Sequence, residues 1–326
     1  MALDLDMPQD ERSLRKFENP DWTAKGEKRA HVALDHLDTL WINTGTLCNI
    51  ECVNCYILSS PMNDRLVYMS AIEVAKFLDE AESLNTREIG FTGGEPFMNG
   101  DFLIMLEDAL SRGFEVLVLT NAMQPMQRPK VAAKFLDIQE RLGEKLTVRV
   151  SLDHYTQKLH ETERGKNTWE FAIKGLDWLA QNGFNITIGG RTCWGESETS
   201  SRAGFAALVK QYNWPINTAD PRALVLFPEM DEGGDVPEIT TACWDILGQK
   251  PSNMMCASSR MVVKRKGALH PTVLPCTLLP YEPQFDMGST LEKASKTSGG
   301  MFEKGAVKLC HPHCARFCVL GGGSCS

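Results

Sequence analysis

The chain has 326 residues, 43% of them hydrophobic, and a net charge of -8, which is typical of one large globular domain or a domain with an appendage. An acidic chain without clustered Lys and Arg argues against a nucleic-acid partner. Its apolar runs fall short of the about 20 residues that cross a bilayer, and its acidic first residues are unlike a signal peptide, so we expect a soluble cytoplasmic protein without a membrane partner.

Short apolar runs alternate with amphipathic helical patterns over residues 36–235, which is typical of a parallel sheet with crossover helices. The predicted strands cover residues 39–43, 87–92, 115–120, 146–152, 184–188 and 222–227. The predicted helices are one that starts at the capping box of Ser70 and Glu73, one capped by Asp101, and three over residues 131–142, 169–181 and 202–212. Six such units predict an α/β fold with a partial (β/α)6 TIM-like barrel.

Three domains are expected. Residues 1–35 are polar and charged, which predicts an N-terminal arm. Residues 36–235 are expected to form the barrel, and residues 236–326 an auxiliary domain.

Eleven cysteines occur, with three between Cys48 and Cys55, six between Cys256 and Cys325, and only Cys193 and Cys243 apart. In a cytoplasmic chain of this size, such clusters indicate metal ligation rather than disulfides.

The first cluster is Cys48-x3-Cys52-x2-Cys55, which lies in a loop after the first predicted strand and is followed by Tyr56. A four-iron cluster normally takes four thiolates, so three leave one iron open to another ligand. This motif resembles the signature of the radical S-adenosylmethionine (SAM) enzymes. The resemblance implies a [4Fe–4S] cluster with SAM at its open iron, reductive cleavage of SAM to a 5′-deoxyadenosyl radical, and Tyr56 near the adenine. A zinc knuckle is the alternative for this stretch alone.

The second motif is Gly93-Gly94-Glu95-Pro96, directly after the second predicted strand. Glycines let the backbone approach a ligand closely, and an acid beside them can accept hydrogen bonds from an ammonium group. The motif is similar to the GGEP motif of the radical SAM family, which implies that Glu95 accepts from the amino group of SAM. A plain βα turn with a helix-starting proline is the alternative.

Further polar residues lie at strand ends, where barrels of this type place their active sites. Asn121 ends the third predicted strand, Ser151 and Asp153 end the fourth, and Arg191 follows the fifth. The resemblance implies that the Ser-x-Asp pair binds ribose hydroxyls or the SAM carboxylate, and that Arg164 meets that carboxylate. Turn residues and surface ion pairs are the alternatives.

Three features carry weaker hypotheses. Cys193 is a candidate hydrogen donor to a substrate radical, as in some epimerases of the family, although a small buried cysteine is the commoner case. His154 is a candidate base, or only a hydrogen-bonded turn residue. The acidic residues Glu229, Asp231 and Glu232 with Asp235 would favour a cationic substrate if they line the barrel mouth, but a solvated loop is preferred.

The tail carries six cysteines around a predicted hairpin over residues 260–268 with Gly267 at its turn. They are Cys256, Cys276, Cys310, Cys314, Cys318 and Cys325. The tail resembles the SPASM or twitch extension of radical SAM enzymes, which implies auxiliary [4Fe–4S] ligation. The long form carries seven cysteines for two clusters, so one cluster is preferred here. A second would need an open site, His311, His313 or Cys243, and a structural zinc site is the alternative.

Taken together, the motifs predict a radical SAM oxidoreductase or epimerase that abstracts hydrogen from a C–H bond of a small metabolite. The short N-terminal arm, without room for a leader-binding domain, tilts the prediction away from its alternative, a maturase of peptide or protein side chains. A non-catalytic iron–sulfur electron carrier or zinc scaffold is the alternative of another class. An electron donor such as flavodoxin or ferredoxin is the expected partner.

Overall fold

A computed structural model describes residues 15–228 and 234–321. The described residues form two compact units, a larger one of residues 38–228 and 261–272, and a smaller one of residues 15–37, 234–260 and 273–321. Both units are therefore discontinuous in sequence, whereas three consecutive domains were predicted. Cys325 and residues 229–233, to which Glu229, Asp231 and Glu232 belong, lie outside the described residues.

Eleven strands occur in the described residues. They are β1 (His31–Val32), β2 (Thr39–Asn43), β3 (Glu88–Thr92), β4 (Glu115–Thr120), β5 (Leu146–Ser151), β6 (Asn185–Arg191), β7 (Leu224–Phe227), β8 (Ser259–Val263), β9 (Thr272–Leu274), β10 (Phe302–Glu303) and β11 (Ala306–Lys308). In the larger unit, β2 to β7 pair in chain order and every pair is parallel. The predicted α/β fold with six consecutive parallel strands is confirmed.

Nine α-helices occur in the described residues. They are α1 (Ala71–Ser83), α2 (Phe102–Ser111), α3 (Gln124–Gln127), α4 (Pro129–Leu142), α5 (Gln157–Arg164), α6 (Thr168–Gln181), α7 (Glu198–Tyr212), α8 (Cys243–Leu247) and α9 (Leu291–Lys296). Short 3₁₀ turns lie at Pro96–Met98, Gly143–Lys145, Pro251–Asn253, Met255–Ala257 and Pro283–Phe285, and a π-helical turn at Cys314–Val319. None of the described helices is both long and apolar enough to span a membrane.

Two capping predictions had different outcomes. Ser70 accepts from the backbone N–H of Glu73, and the Glu73 side chain accepts from that of Ser70, so the capping box is confirmed. Asp101 precedes α2 but makes no side-chain cap there. Its carboxylate instead accepts from the N–H of Ala71 at 3.0 Å. Asp101 therefore satisfies an unpaired donor at the start of α1, and its predicted role as the cap of α2 was wrong.

The larger unit has its core between the sheet and the helices that cover it. Apolar side chains such as Leu40, Ile42 and Phe91 are fully buried, as expected for strands covered on one face by helices and on the other by the barrel interior. Because all six strands run in the same direction, their carboxyl ends meet at one edge. The loops that carry the predicted motifs of the larger unit follow these ends.

The smaller unit contains an antiparallel sheet in the order β1, β11, β10. Arg29 is buried beside it and pairs with Glu238 at 2.5 Å, and it also donates to the carbonyl of Leu309. Strand β8 covers the start of the hairpin predicted over residues 260–268, but its neighbour β9 begins only at Thr272, beyond the predicted bounds.

Candidate active site

The cysteine loop of the larger unit begins five residues after β2. Cys48 is 5% exposed, whereas Cys52 and Cys55 are half-buried, and none of the three forms a disulfide. Burial, with smaller contributions from the charges of Glu95 and Cys52, raises the pKa of Cys48 to about 12. Burial also raises the pKa of Cys52, with Arg164 opposing and Cys55 adding to the rise. Cys52 therefore lies within electrostatic reach of both Cys48 and Cys55, and burial favours the protonated form of Cys48 and of Cys52.

Two donors point at these sulfurs. The backbone N–H of Ser59 donates to Cys55 Sγ at 3.3 Å, and Asn121 Nδ2 lies 3.9 Å from Cys48 Sγ. Asn121 also donates to Asn49 Oδ1 at 2.9 Å, so the end of β4 is tied to the cysteine loop. Three thiols of one loop with hydrogen-bond donors and a nearby guanidinium fit an iron–sulfur cluster, since hydrogen bonds and charge around the sulfurs are how proteins tune such clusters.

The Gly-Gly-Glu-Pro turn packs directly on the segment before Cys48. The N–H of Gly94 donates to the carbonyl of Gly45 at 2.8 Å, and that of Glu95 donates to the carbonyl of Leu47 at 3.2 Å. A Cβ at Gly94 would collide with the Leu47 carbonyl, and Gly93 has a φ of 144°, which disfavours a side chain. These glycines thus permit a close approach to the protein's own backbone, and their predicted approach to a ligand stays a prediction.

Glu95 is 1% exposed and lies between the ends of β3 and β4. Its Oε1 accepts from Thr120 Oγ1 at 2.8 Å and from the N–H of Phe97 at 3.2 Å, and its Oε2 accepts from the N–H of Asn121 at 2.9 Å. Burial raises the pKa of Glu95 to about 7, although the donors from Asn121 and Thr120 favour the charged form. Pro96 begins the following 3₁₀ turn, as the alternative interpretation of this motif expected.

Asp153 and Arg164 form a buried ion pair, with Nε to Oδ2 at 2.5 Å and Nη2 to Oδ1 at 3.2 Å. Arg191 Nε reaches Asp153 Oδ1 at 3.3 Å. Burial alone would raise the pKa of Asp153, but the two arginines outweigh it and hold that pKa below its usual range. The carboxylate is therefore ionised, and it orients both guanidinium groups beside the cysteine loop. Ser151, at the end of β5, is half-buried.

Glu163, which the sequence did not indicate, holds the cysteine loop. Its Oε1 accepts from the N–H of Asn54 and its Oε2 from Asn54 Nδ2, both at 2.8 Å. Its backbone carbonyl accepts from the N–H of Val53 at 2.9 Å, and Arg191 Nη2 donates to the carbonyl of Asn54 at 2.8 Å. The segment between Cys52 and Cys55 is thus fixed by four hydrogen bonds to two residues.

Tyr56, Cys193 and His154, the weaker candidates, differ in how deeply they are buried. Tyr56 is 37% exposed, and Cys193 is half-buried after β6. His154 is buried, and its Nδ1 accepts from the N–H of Thr156 at 3.0 Å, which leaves Nε2–H to face Glu196 Oε1 at 3.4 Å. Burial lowers the pKa of His154, with Glu196 opposing, so the ring is neutral at pH 7 and already hydrogen-bonded.

A pocket of about 440 Å³ opens beside the cysteine loop in the larger unit. Its lining includes Asn49, Met98, Met123, Arg128 and Phe171. None of the residues predicted to bind SAM lines this pocket. It therefore adds residues that the sequence did not indicate, and their signal in the sequence is weak because Met and Phe at such positions are typical of a core.

The smaller unit brings together five of the six tail cysteines. Burial raises the pKa of Cys314 well above its usual value, and the charges of Cys276, Cys318, Cys256 and Cys310 raise it further. Cys310 donates its thiol hydrogen to the carbonyl of Phe17 at 3.2 Å. Within residues 15–228 and 234–321, no three Cys, His, Asp or Glu side chains lie close enough to bind a single metal ion.

The alternative tail ligands have protein partners. His313 Nδ1 lies 3.2 Å from the carbonyl of Leu278, and His311 Nδ1 accepts from the N–H of His313 at 3.1 Å. Cys243 Sγ accepts from the N–H of Thr240 at 3.3 Å. Which of the tail cysteines bind a cluster, and whether there is one cluster or two, stay predictions.

Comparisons with known proteins match part of the larger unit to a family model and to several relatives. Residues 42–195 match the family model described as the radical SAM superfamily. Over 137 residues, which are 42% of this chain and 33% of the relative, the chain is 28% identical to the mycofactocin maturase MftC of Mycolicibacterium smegmatis. Over 173 residues, which are 51% of this chain and 37% of the relative, it is 24% identical to the antilisterial bacteriocin subtilosin biosynthesis protein AlbA of Bacillus subtilis. These matches span about a third of the curated relatives' length.

A similar fold occurs in the crystal structure of Streptococcus suis SuiB bound to the precursor peptide SuiA. It shares 13% sequence identity with this chain, with a TM-score of 0.58, and the match covers 78% of this chain and 62% of that one. At this identity the likeness supports the fold, a partial barrel with further residues beyond it, and nothing more specific.

Proposed function

This chain contains a radical SAM domain in residues 42–195, and from this premise we propose that it is a radical SAM enzyme that modifies a side chain of a peptide or protein. The observation that carries the radical chemistry is the placement of Cys48, Cys52 and Cys55 in one loop, with Cys52 within electrostatic reach of the other two thiols and of the buried guanidinium of Arg164. When bound, a [4Fe–4S] cluster and SAM supply a 5′-deoxyadenosyl radical that abstracts hydrogen from a C–H bond. The protein supplies placement and exclusion of water.

We assign Cys48, Cys52 and Cys55 to the cluster. Glu163 and Arg191 fix the segment between the last two, so the backbone that carries Cys52 and Cys55 is held in place without iron. Such pre-positioning lowers the entropy lost when ligands gather around a metal. Asn121 Nδ2, near Cys48 Sγ, stabilises negative charge on that sulfur.

The SAM-binding residues have spare hydrogen-bonding capacity in the places that the proposal requires. Among the described residues, Glu95 Oε2 accepts one hydrogen bond, from Asn121, and each carboxylate oxygen has two lone pairs, so it can also accept from an ammonium group. Arg164 uses Nε and Nη2 for Asp153, which leaves Nη1 for a carboxylate. Roles for Tyr56, Gly93, Gly94, Pro96 and Ser151 at this site rest on their positions in the family motifs.

We assign the tail cysteines of the smaller unit to at least one auxiliary [4Fe–4S] cluster. The five described thiols, with Cys314 within electrostatic reach of the other four, support this assignment. An auxiliary cluster could accept the electron that a substrate radical must lose when it becomes a closed-shell product. The first electron would come from a reduced flavodoxin or ferredoxin.

The substrate class is argued from the relatives. MftC is named a maturase, AlbA a bacteriocin biosynthesis protein, and SuiB was crystallised with a precursor peptide. These names support the maturase alternative better than the predicted oxidation or epimerisation of a small metabolite. An epimerase function would in addition require Cys193 as a hydrogen donor, and this remains a hypothesis.

The test uses the reconstituted enzyme with SAM, a strong reductant and the short peptides encoded next to its gene. We expect 5′-deoxyadenosine together with a change in peptide mass, such as the loss of two hydrogens, and neither product with the Cys52→Ala variant. Nucleoside formation that is stimulated by a metabolite extract but by none of the peptides would contradict the peptide substrate while leaving the radical chemistry intact.

A further inference from the structure

Arg260 is a buried cation of the smaller unit without a carboxylate partner. Its side chain is among the largest that are fully buried, at 1% exposure. Its Nη1 donates to the carbonyls of Cys256 and Ser259, both at 2.7 Å, and its Nη2 donates to the carbonyl of Gly305 at 3.3 Å. Its Nε is buried and has no hydrogen-bond partner among the described residues. These carbonyls carry only partial charges, so the full charge of the guanidinium remains uncompensated.

Two other buried arginines of this chain are paired with acids. Arg29 contacts Glu238 at 2.5 Å, and Arg164 contacts Asp153 at the same distance. Among the described residues, no Asp or Glu forms an ion pair with Arg260, and the acidic groups that act on its charge are the thiols of Cys256 and Cys276. A guanidinium keeps its proton in proteins, and burying an unpaired charge is costly. An anion beside these two cysteines would remove that cost.

A [4Fe–4S] cluster held by cysteine thiolates supplies such an anion. The cluster with its thiolates carries a net negative charge, which increases when it takes up an electron. Cys256 and Cys276 are two of the proposed ligands, and both lie within electrostatic reach of Cys314 and of Arg260. A fixed positive charge at this place stabilises the reduced form more than the oxidised form, because the reduced form has more negative charge.

We infer that Arg260 is the counter-ion of the auxiliary cluster and raises the reduction potential of that cluster. The inference rests on the auxiliary cluster of the proposed function, but it requires neither SAM cleavage nor a particular substrate. It makes Arg260 a positioning and tuning residue, since it acts through the cluster and touches no substrate.

The test isolates the auxiliary cluster in a Cys48→Ala, Cys52→Ala, Cys55→Ala variant of the full chain, reconstituted with iron and sulfide. Its midpoint potential is measured by redox titration followed by electron paramagnetic resonance. We expect Arg260→Met to shift the reduction equilibrium about tenfold toward the oxidised cluster. For one electron, this makes the midpoint potential about 59 mV more negative. Arg260→Lys keeps the charge and should keep the potential. Arg149→Met, at a buried arginine of β5 in the larger unit, is the matched control and should leave the potential unchanged.

Each outcome separates the inference from its premise. Absence of iron in the triple variant would contradict the auxiliary cluster itself. Iron at the level of the parent with an unchanged potential in Arg260→Met would overturn the counter-ion role, and so would a loss of iron and of thermal stability without any shift in potential. If Arg260→Met does not fold, Arg260→Gln, which removes the charge but keeps an amide donor for the carbonyls, must show the same negative shift.

Discussion

The hydrogen bonds from Asn54 to Glu163 lead to a quantitative prediction for the Glu163→Gln variant. The carboxylate accepts two bonds of 2.8 Å, whereas a glutamine amide presents one oxygen and one NH₂ group. One of the two donors of Asn54 would therefore face another donor, and the charge that strengthens the remaining bond would be lost. Hydrogen bonds to charged groups contribute about 1.5–3 kcal/mol, so we expect local opening of the loop to become easier by about 2 kcal/mol.

Amide hydrogen exchange measures this opening without any cluster. A change of about 2 kcal/mol corresponds to roughly 30-fold faster exchange at Asn54 when exchange follows the local opening equilibrium. We would measure it by mass spectrometry on peptides from the cysteine loop in the iron-free protein. Glu161→Gln, in the same helix, is the matched control because its carboxylate accepts from Gln157 and Trp169 and not from the cysteine loop.

Two results would refute this reasoning. Exchange in Glu163→Gln within about threefold of the parent would mean that these bonds do not hold the loop. Equal acceleration in Glu161→Gln would mean that the effect comes from α5 as a whole and not from the contact with Asn54.

Three further predictions follow from the same site. Gly94→Ala should destabilise the protein by at least about 2 kcal/mol, because the added Cβ collides with the Leu47 carbonyl. Gly100→Ala, where the added Cβ meets no atom, should change the stability by no more than about 1 kcal/mol. Equal melting temperatures of the two variants would contradict this prediction. Glu95 has a folded-state pKa of about 7 against 4.5, so its contribution to stability is complete below pH 4.5 and is lost as the pH rises to about 7. The free energy of unfolding of the parent, measured with urea, should therefore decrease by up to about 3 kcal/mol between these pH values, and Glu95→Gln should lack this decrease. An equal decrease in the variant would contradict the burial argument. Asp153→Asn should cost about 3–5 kcal/mol, since it leaves two buried guanidinium groups without their shared acid, and thermal unfolding like that of the parent would count against the ion pair.

The strands of the barrel were predictable because they are short continuous apolar runs. The predicted bounds of β2 and β4 agree with the structure residue for residue. Helix α5 was missed because its sequence, QKLHETER, has almost no apolar stripe, and the residues that it buries are His160 and Glu163. A pattern search for apolar periodicity cannot detect a helix whose buried face is polar.

The sequence indicated several candidate side chains one by one, but it did not indicate their pairings. The sequence indicated Asp153, Arg164 and Arg191 as separate candidates, and only the structure shows that one carboxylate orients both arginines. Pairings of this kind depend on side-chain directions at the ends of neighbouring strands, which spacing along the chain does not specify. For the same reason, the role of Arg260 beside Cys256 and Cys276 had no signal in the cysteine pattern.

The central claim is that this chain cleaves SAM at a cluster held by Cys48, Cys52 and Cys55. The most direct measurement is 5′-deoxyadenosine formation by the anaerobically reconstituted protein after addition of SAM and a strong reductant. We predict formation of the nucleoside by the parent and none by Cys52→Ala, while Cys193→Ala still forms it. A protein that is fully loaded with iron and sulfide but forms no nucleoside would contradict the claim and favour an iron–sulfur electron carrier.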